Sequence, residues 1–278
     1  MSGEPTVDGA MAEAKAAGLD RLDAQLLLVH VLAKPRTWLL THGDAPLDAA
    51  QHEAFGALLA RRAAGEPVAY LIGEKAFHGL LLRVDANVLV PRPDTELLVD
   101  WAIERLAGTA NARVVDLGTG SGAIALAVKQ ACPGASVLAT DISEAALAVA
   151  SANAQRLGLD VTLQQTAWWR GLAGQHFDLV LSNPPYIADD DPHLAALRHE
   201  PTLALTPGGD GLAALQEIVA GAPTHMAPGA WLLLEHGYDQ AQAVQTLLRT
   251  HGLVDIETRR DLGGQPRCTG ARRAADAA

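Results

Sequence analysis

Chemistry in this chain concentrates at Asn183-Pro184-Pro185-Tyr186, which follows the apolar run Leu179-Val180-Leu181-Ser182. A strand ending there places the four residues at the carboxyl edge of a sheet, where open α/β folds bind ligands. Two consecutive prolines fix φ and offer no N–H, so the turn is stiff and rich in acceptors. Asn183 supplies a side-chain carbonyl and Pro184 a backbone one, enough to accept both hydrogens of a planar –NH2 group. Tyr186 is placed to lie flat against that plane. Such a corner selects an amide or aryl amine over a tetrahedral ammonium. An amide nitrogen is a poor nucleophile because its lone pair is delocalised into the carbonyl. Gripping both N–H bonds raises electron density on nitrogen and directs the lone pair, so positioning and fixed dipoles supply the acceleration. The same residues also make an ordinary strand-ending turn, as Asn-Pro and Pro-Pro often do.

A second chemical segment is Val114-Val115-Asp116-Leu117-Gly118-Thr119-Gly120-Ser121-Gly122. A buried strand runs into three glycines at alternate positions, and a helix follows. Glycine permits a tight turn and close ligand approach, while the helix start offers free N–H donors. Asp141 comes 141 − 122 = 19 residues after Gly122, where an acidic residue accepts the hydroxyls of a ribose. The dinucleotide pattern is G-x-G-x-x-G, whereas this spacing is G-x-G-x-G. Preceded by Asp116, it resembles the first motif of class I S-adenosylmethionine-dependent methyltransferases. There the loop, here with Thr119 and Ser121 between the glycines, wraps a cofactor that carries no pyrophosphate. On this turn alone a nicotinamide dinucleotide remains open.

These residues need a scaffold of alternating strands and helices. Apolar strand-length runs fall at 113–117, 136–140, 161–164, 177–182, 230–235 and 253–258. Helix-length segments at 122–131, 144–157, 211–222 and 239–250 separate most of them. That alternation predicts a parallel sheet covered on both faces. Residues 1–75 read as helical, with apolar side chains at i, i+3, i+4 over 20–32 and 47–61. Asp20 and Asp44-Ala45-Pro46 look like helix starts, and Pro35 ends or interrupts the second helix. Leu80, Leu81, Leu82 and Val84 around Gly79 predict a short hairpin over 76–84. Pro91-Arg92-Pro93 stiffens the junction, and Asp94 is placed to cap a helix reaching Leu106. The expected layout is a helical N-terminal domain (1–75), a β-hairpin linker (76–92) and a Rossmann-like domain (93–278), with a frayed tail over 271–278.

With these motifs in place, the chain is similar to the HemK/PrmC family, the peptide-chain release factor glutamine N5-methyltransferases. The similarity spans nearly the whole chain. It includes Tyr70-Leu71-Ile72-Gly73-Glu74, Phe77, Pro91-Arg92-Pro93-Asp94-Thr95-Glu96, Asp191-Pro192-His193-Leu194, Glu200-Pro201, Gly209-Asp210-Gly211-Leu212 and Leu234-Glu235-His236-Gly237. The resemblance implies an α/β class I S-adenosylmethionine-dependent fold, Rossmann-like with a mixed seven-stranded sheet, behind a small helical domain. It implies S-adenosylmethionine as donor, S-adenosylhomocysteine as product, and the glutamine of a Gly-Gly-Gln loop in class 1 release factors as acceptor. Carried onto this sequence, the cofactor contacts are Asp116, Gly118, Thr119, Gly120, Ser121, Gly122, Asp141, Trp168 and Asn183. The glutamine falls to Asn183, Pro184, Pro185 and Tyr186, of which Asn183, Pro184 and Tyr186 are the catalytic set. Trp168 has Trp169 beside it, and the sequence does not distinguish which faces the adenine. Ala167 stands where the family often has a polar residue. Phe77 either lines the glutamine pocket or packs between domains, and Arg92 either holds the release factor or braces the junction. Glu200, Glu235 and His236 read as structural.

Composition narrows the alternatives. Hydrophobic residues make up 49% of the 278, and aromatics 4%, which excludes a disordered chain and leaves few rings to stack bases. With 21 basic and 32 acidic residues the formal charge is −11, a field that disfavours a long duplex nucleic acid. An amino methyltransferase of DNA or RNA bases (adenine N6 or guanine N2) is the alternative reading, and it lacks the expected basic face. A non-catalytic cofactor-binding module conflicts with an intact Asn-Pro-Pro-Tyr. Cys132 and Cys268 have no metal or disulfide spacing, and His193 and His199 none for a metal. No leader or membrane segment is read from the sequence, so a cytoplasmic protein without direct nucleic-acid contact is expected, by default a monomer. Gly263-Gly264-Gln265 copies the substrate triplet in a turn before the last strand and reads as coincidence.

Overall fold

The computed structural model describes residues 4–275, which divide into two compact units between Glu74 and Lys75. The first is helical: α1 (Val7–Ala16), α2 (Arg21–Leu32), α3 (Arg36–Leu39), α4 (Ala49–Ala63) and α5 (Val68–Ile72). Its core is Leu27, Leu28, Phe55 and Leu71 with Val7 and Ala10. α2 follows Asp20 and stops at Ala33, whose φ of 50° breaks the helix before Pro35. The expected start at Asp44-Ala45-Pro46 is wrong. Asp48 caps α4, accepting Gln51 N–H at 2.8 Å while its own N–H donates to Gln51 Oε1 at 3.0 Å. This reciprocal box satisfies two helix-end donors, which a proline-led start does not.

The second unit opens with a hairpin, β1 (Glu74–Phe77) and β2 (Leu80–Arg83). His78 and Gly79 both have positive φ, 45° and 76°, the twist that joins two strands by a two-residue turn. The hairpin groups with this unit. Next come α6 (Glu96–Leu106), β3 (Arg113–Leu117), α7 (Ala123–Ala131), β4 (Ser136–Asp141), α8 (Glu144–Leu157), β5 (Thr162–Gln165) and β6 (Phe177–Ser182). α9 (Ala213–His225), β7 (Met226–Glu235), α10 (Ala241–Thr250), β8 (Val254–Arg260) and β9 (Pro266–Arg272) complete the fold. Asp94 does not cap α6. It lies in a 3-10 turn, Pro93–Thr95, with its carboxylate 3.6 Å from Arg267.

The seven-stranded sheet runs β5-β4-β3-β6-β7-β9-β8, mixed as the resemblance implied. Five strands are parallel, while β9 is antiparallel to both β7 and β8. Alternate residues of the central strands feed two cores. Val114, Leu179 and Leu181 face α6, α7 and the hairpin, and Val115, Val180 and Leu232 face α9 and α10. The tail expected to fray from 271 instead ends inside the sheet. Ala271 is fully buried opposite Leu232, and Arg273 N–H donates to Ala230 O at 2.9 Å. Residues 276–278 of that expectation lie outside the described residues.

Candidate active site

β3 and β6 are neighbours at the point where strand order reverses, with Asp116 opposite Leu181. Two residues beyond that pair, β3 passes into Gly118 and β6 into Asn183. Register alone therefore brings the glycine turn and the proline corner to one crevice. Between them a cavity of about 220 Å3 is lined by Gly118–Ser121, Asp141, Thr166–Trp168, Arg92, Thr95, Asn183, Pro185 and Leu203, among others.

The glycine turn is built to be approached. Gly118, Gly120 and Gly122 have φ of 76°, 55° and 83°, a region that costs other residues roughly 1–2 kcal/mol each. The N–H groups of Gly118 and Thr119 both donate to Thr140 O at 2.8 Å, tying the turn to β4. A Cβ on Gly118 would stand 3.3 Å from the Trp168 ring. Asn153, fully buried on α8, fixes the turn from below: its Nδ2 donates to Ser121 O at 2.9 Å and to Arg83 O at 3.0 Å. No sequence signal marks Asn153.

Two carboxylates serve this turn differently. Asp116 is fully buried. Its Oδ2 accepts from Thr119 Oγ1 at 2.6 Å, and its Oδ1 has no partner among the described residues. Burial pushes its pKa up to about 7, against the pull of the Thr119 bond. Asp141, at the end of β4, accepts Gly120 N–H on Oδ2 and Ser143 N–H on Oδ1, each at 2.9 Å. Burial holds it above the ordinary carboxylate range, and these backbone bonds oppose the rise. Both oxygens keep lone pairs for a donor in the cavity.

The two neighbouring tryptophans lie in different places. Trp168 lines the cavity with φ of 45°, a conformation that costs such a residue energy and typically marks a functional site. Trp169 points away, donating Nε1–H to Ile218 O at 2.9 Å and stacking on His225 at 4.6 Å. Ala167 is on the cavity wall.

At the proline corner, Asn183 Nδ2 donates to Thr95 Oγ1 at 3.2 Å, so its Oδ1 is left as an acceptor. Pro185 is on the wall, while Pro184 and Tyr186 are not. The Tyr186 hydroxyl instead donates to Glu235 Oε1 at 3.3 Å. Burial, then the Glu235 charge, push its phenol far above the ordinary value. The flat contact expected of Tyr186 is thus absent from the cavity wall, and the ring is anchored from behind. Phe77 is 1% exposed beneath the hairpin with Leu80 and Leu82. Its pocket reading is corrected to packing, because the ring is not on the cavity wall and fills the apolar core under α6 and α7 instead. Arg92 lines the cavity and also pairs with Glu200, whose other oxygen accepts Val90 N–H at 3.0 Å. His236 pairs through Nε2 with Thr269 Oγ1 at 2.7 Å, and burial lowers its pKa. Among the described residues no group of His, Cys, Asp or Glu could hold a metal ion, and no helix is long and apolar enough to cross a membrane.

Set against known proteins, residues 9–73 match the model of the PrmC N-terminal domain and residues 94–217 that of the methyltransferase small domain. A release factor glutamine methyltransferase of Xylella fastidiosa (strain Temecula1) is 53% identical over 257 residues, covering 91% of this chain and 94% of that protein. One from Bordetella pertussis is 52% identical over 256 residues, 91% and 95% of the two chains. A methyltransferase structure from Pyrococcus furiosus superposes with a TM-score of 0.56 at 18% identity, covering 77% of this chain and 99% of that one, a likeness of fold. With such identity running through both units, the chain belongs to the release factor glutamine methyltransferase family.

Proposed function

We propose that this methyltransferase takes S-adenosylmethionine as its donor and methylates the side-chain amide nitrogen of the glutamine in the Gly-Gly-Gln loop of class 1 release factors. The observation that carries the reading is that Asn183, with its carbonyl uncommitted, lines the same cavity as the glycine turn and Asp141. When bound, S-adenosylmethionine supplies an electrophilic methyl group on a sulfonium sulfur.

The residues present suit that cofactor. Asp141 has free lone pairs for ribose hydroxyls, and Trp168 offers a flat apolar wall for an adenine. Gly118, Thr119, Gly120 and Ser121 line the cavity and leave room for the methionine end; of the other expected contacts, Asp116 is fully buried behind that wall and Gly122 packs against Leu126, so both support the turn from behind. The product would be S-adenosylhomocysteine.

Asn183 Oδ1 accepts one amide hydrogen of the substrate, and the Pro184 carbonyl is proposed as the second acceptor. Pro185 walls the acceptor side, and Tyr186 keeps the corner rigid through its bond to Glu235. Arg92, held by Glu200, offers a cation at the rim. No strong base is needed before transfer, because the methylated nitrogen sheds its extra proton readily. The helical unit is proposed to recognise the release factor, with residues 76–92 as linker. A cytoplasmic monomer without direct nucleic-acid contact completes the proposal.

The test is transfer of labelled methyl groups to a purified release factor and to its variant with the loop glutamine changed to glutamate. Labelling of the first and none of the second is expected. Equal labelling of adenine in duplex DNA would overturn the reading in favour of base methylation.

A further inference from the structure

One stretch of the cavity wall has no ladder to hold it. Residues 84–92 belong to no helix or strand, yet Val88, Leu89, Pro91 and Arg92 line the cavity. Pro91 and Pro93 carry no N–H, so the backbone from 90 to 93 can be fastened only through the Val90 and Arg92 donors. The stretch then enters the 3-10 turn Pro93–Thr95. There the buried Thr95 accepts from Asn183 Nδ2 at 3.2 Å. Thr95 N–H donates to Arg92 O at 3.2 Å, so the place of Thr95 follows that of Arg92.

Glu200 fastens this stretch from 110 residues further along the chain. It is buried, and a carboxylate out of water costs free energy unless it is paired and hydrogen-bonded. Its Oε2 accepts Val90 N–H at 3.0 Å, and its Oε1 pairs with the Arg92 guanidinium. Both oxygens are therefore spent on the two residues that flank Pro91. Glu200 also begins a second stretch of wall, where Pro201, Leu203 and Ala204 line the cavity. That stretch is closed at its far end by Ile187 N–H, which donates to Leu205 O at 3.0 Å. One side chain thus joins two parts of the wall that lie far apart in sequence.

We propose that Glu200 is a positioning residue which, by holding Val90 and Arg92, sets Thr95 where it anchors the Asn183 carboxamide. This rests on the reading of Asn183 as the group that binds the substrate amide. Glu200 is not itself on the cavity wall, so it acts through these neighbours. Its two arms differ in weight. The bond to Val90 is buried, and losing it leaves an N–H without a partner. The Arg92 side chain is 38% exposed, where an ion pair contributes little.

The experiment compares wild type, Glu200→Met, Glu200→Gln, Thr95→Val and the double variant Glu200→Met with Thr95→Val. Methyl transfer to a release factor gives kcat, calorimetry gives S-adenosylmethionine affinity, and urea unfolding shows that each variant is folded. Glu200→Ala replaces Glu200→Met should the larger side chain prevent folding. Glu200→Met cuts both arms and should lose about 10- to 100-fold in kcat, the weight of a buried bond to a charged group. Cofactor affinity should stay within about threefold, because the glycine turn and Asp141 are untouched. Glu200→Gln keeps an acceptor for Val90 and should stay within about threefold of wild type. Thr95→Val should lose as much as Glu200→Met, and the double variant should be hardly worse than either, because both cut one chain. A residue that only stabilised the fold would add its full loss in the double variant. If Glu200→Met turns over like wild type, if Glu200→Gln is as impaired as Glu200→Met, if cofactor affinity falls in step with kcat, or if the Glu200 and Thr95 losses multiply, the inference is wrong while the function stands. If wild type itself fails to label the release factor, the functional reading falls and this inference with it.

Discussion

Individual residues divide the labour between holding the donor and aiming the acceptor. Asn183 faces the cavity with an acceptor and has its donor end tied to Thr95. Asn183→Ala should therefore cut kcat by about 10²- to 10³-fold, as removal of a preorganised polar contact does. Cofactor affinity should change little, and calorimetry beside a methyl-transfer assay would check both. A proportional loss of the two would refute the division. Asp141→Ala should act on the other quantity. It deletes the acceptor of Gly120 N–H and of Ser143 N–H along with the proposed ribose contact. S-adenosylmethionine binding should weaken about 10- to 100-fold, in line with lost bonds to a charged group. Unchanged affinity would remove Asp141 from the binding site.

Among the elements, the hairpin shows how packing settles what composition leaves open. Phe77 is buried against Leu80 and Leu82 rather than exposed to the cavity. Phe77→Leu should lower unfolding stability by roughly 1–2 kcal/mol, as a reshaped core does, and leave the KM for release factor unchanged. Urea unfolding and a substrate titration would show it, and a raised KM with unaltered stability would return Phe77 to the pocket. Much of the scaffold was legible because each signal is local. Gly118, Gly120 and Gly122 announce a turn that needs positive φ, and the apolar runs of β3 and β6 announce a sheet buried on both faces. What was not legible depends on partners far away in sequence. Asn153 gives no hint that it fastens Arg83 and Ser121, since a helix polar residue is ordinarily solvated. Ala271 and Arg272 read as tail because nothing in an Ala-Arg run says that β7 and β8 need a strand between them. Tyr186 was placed on the substrate because a sequence does not show Glu235 waiting behind it.

For the molecule as a whole, the buried acids shape stability against pH. Burial lifts Asp116 and Glu235 from ordinary values of 3.8 and 4.5 to about 7. Between those values the native chain keeps protons that the unfolded chain has released. The two groups therefore contribute fully below about pH 4 and lose their contribution as pH rises through about 7. His236, held below its ordinary 6.5, works in the opposite sense, favouring the native state more as pH climbs through that value. Glu235→Gln should flatten the change in urea midpoint between about pH 5 and about pH 7.5, and an unaltered profile would count against a protonatable Glu235. Asp141 has another consequence at this scale. One carboxylate clasps Gly120 on the first loop and Ser143 on the second, so the two loops are bridged before any guest arrives. In heavy water those two amides should exchange their hydrogens slowly in the empty protein, and ligand should slow them only modestly further. Recognition would then resemble a key meeting a finished lock, with the ordering cost already settled when the chain folds.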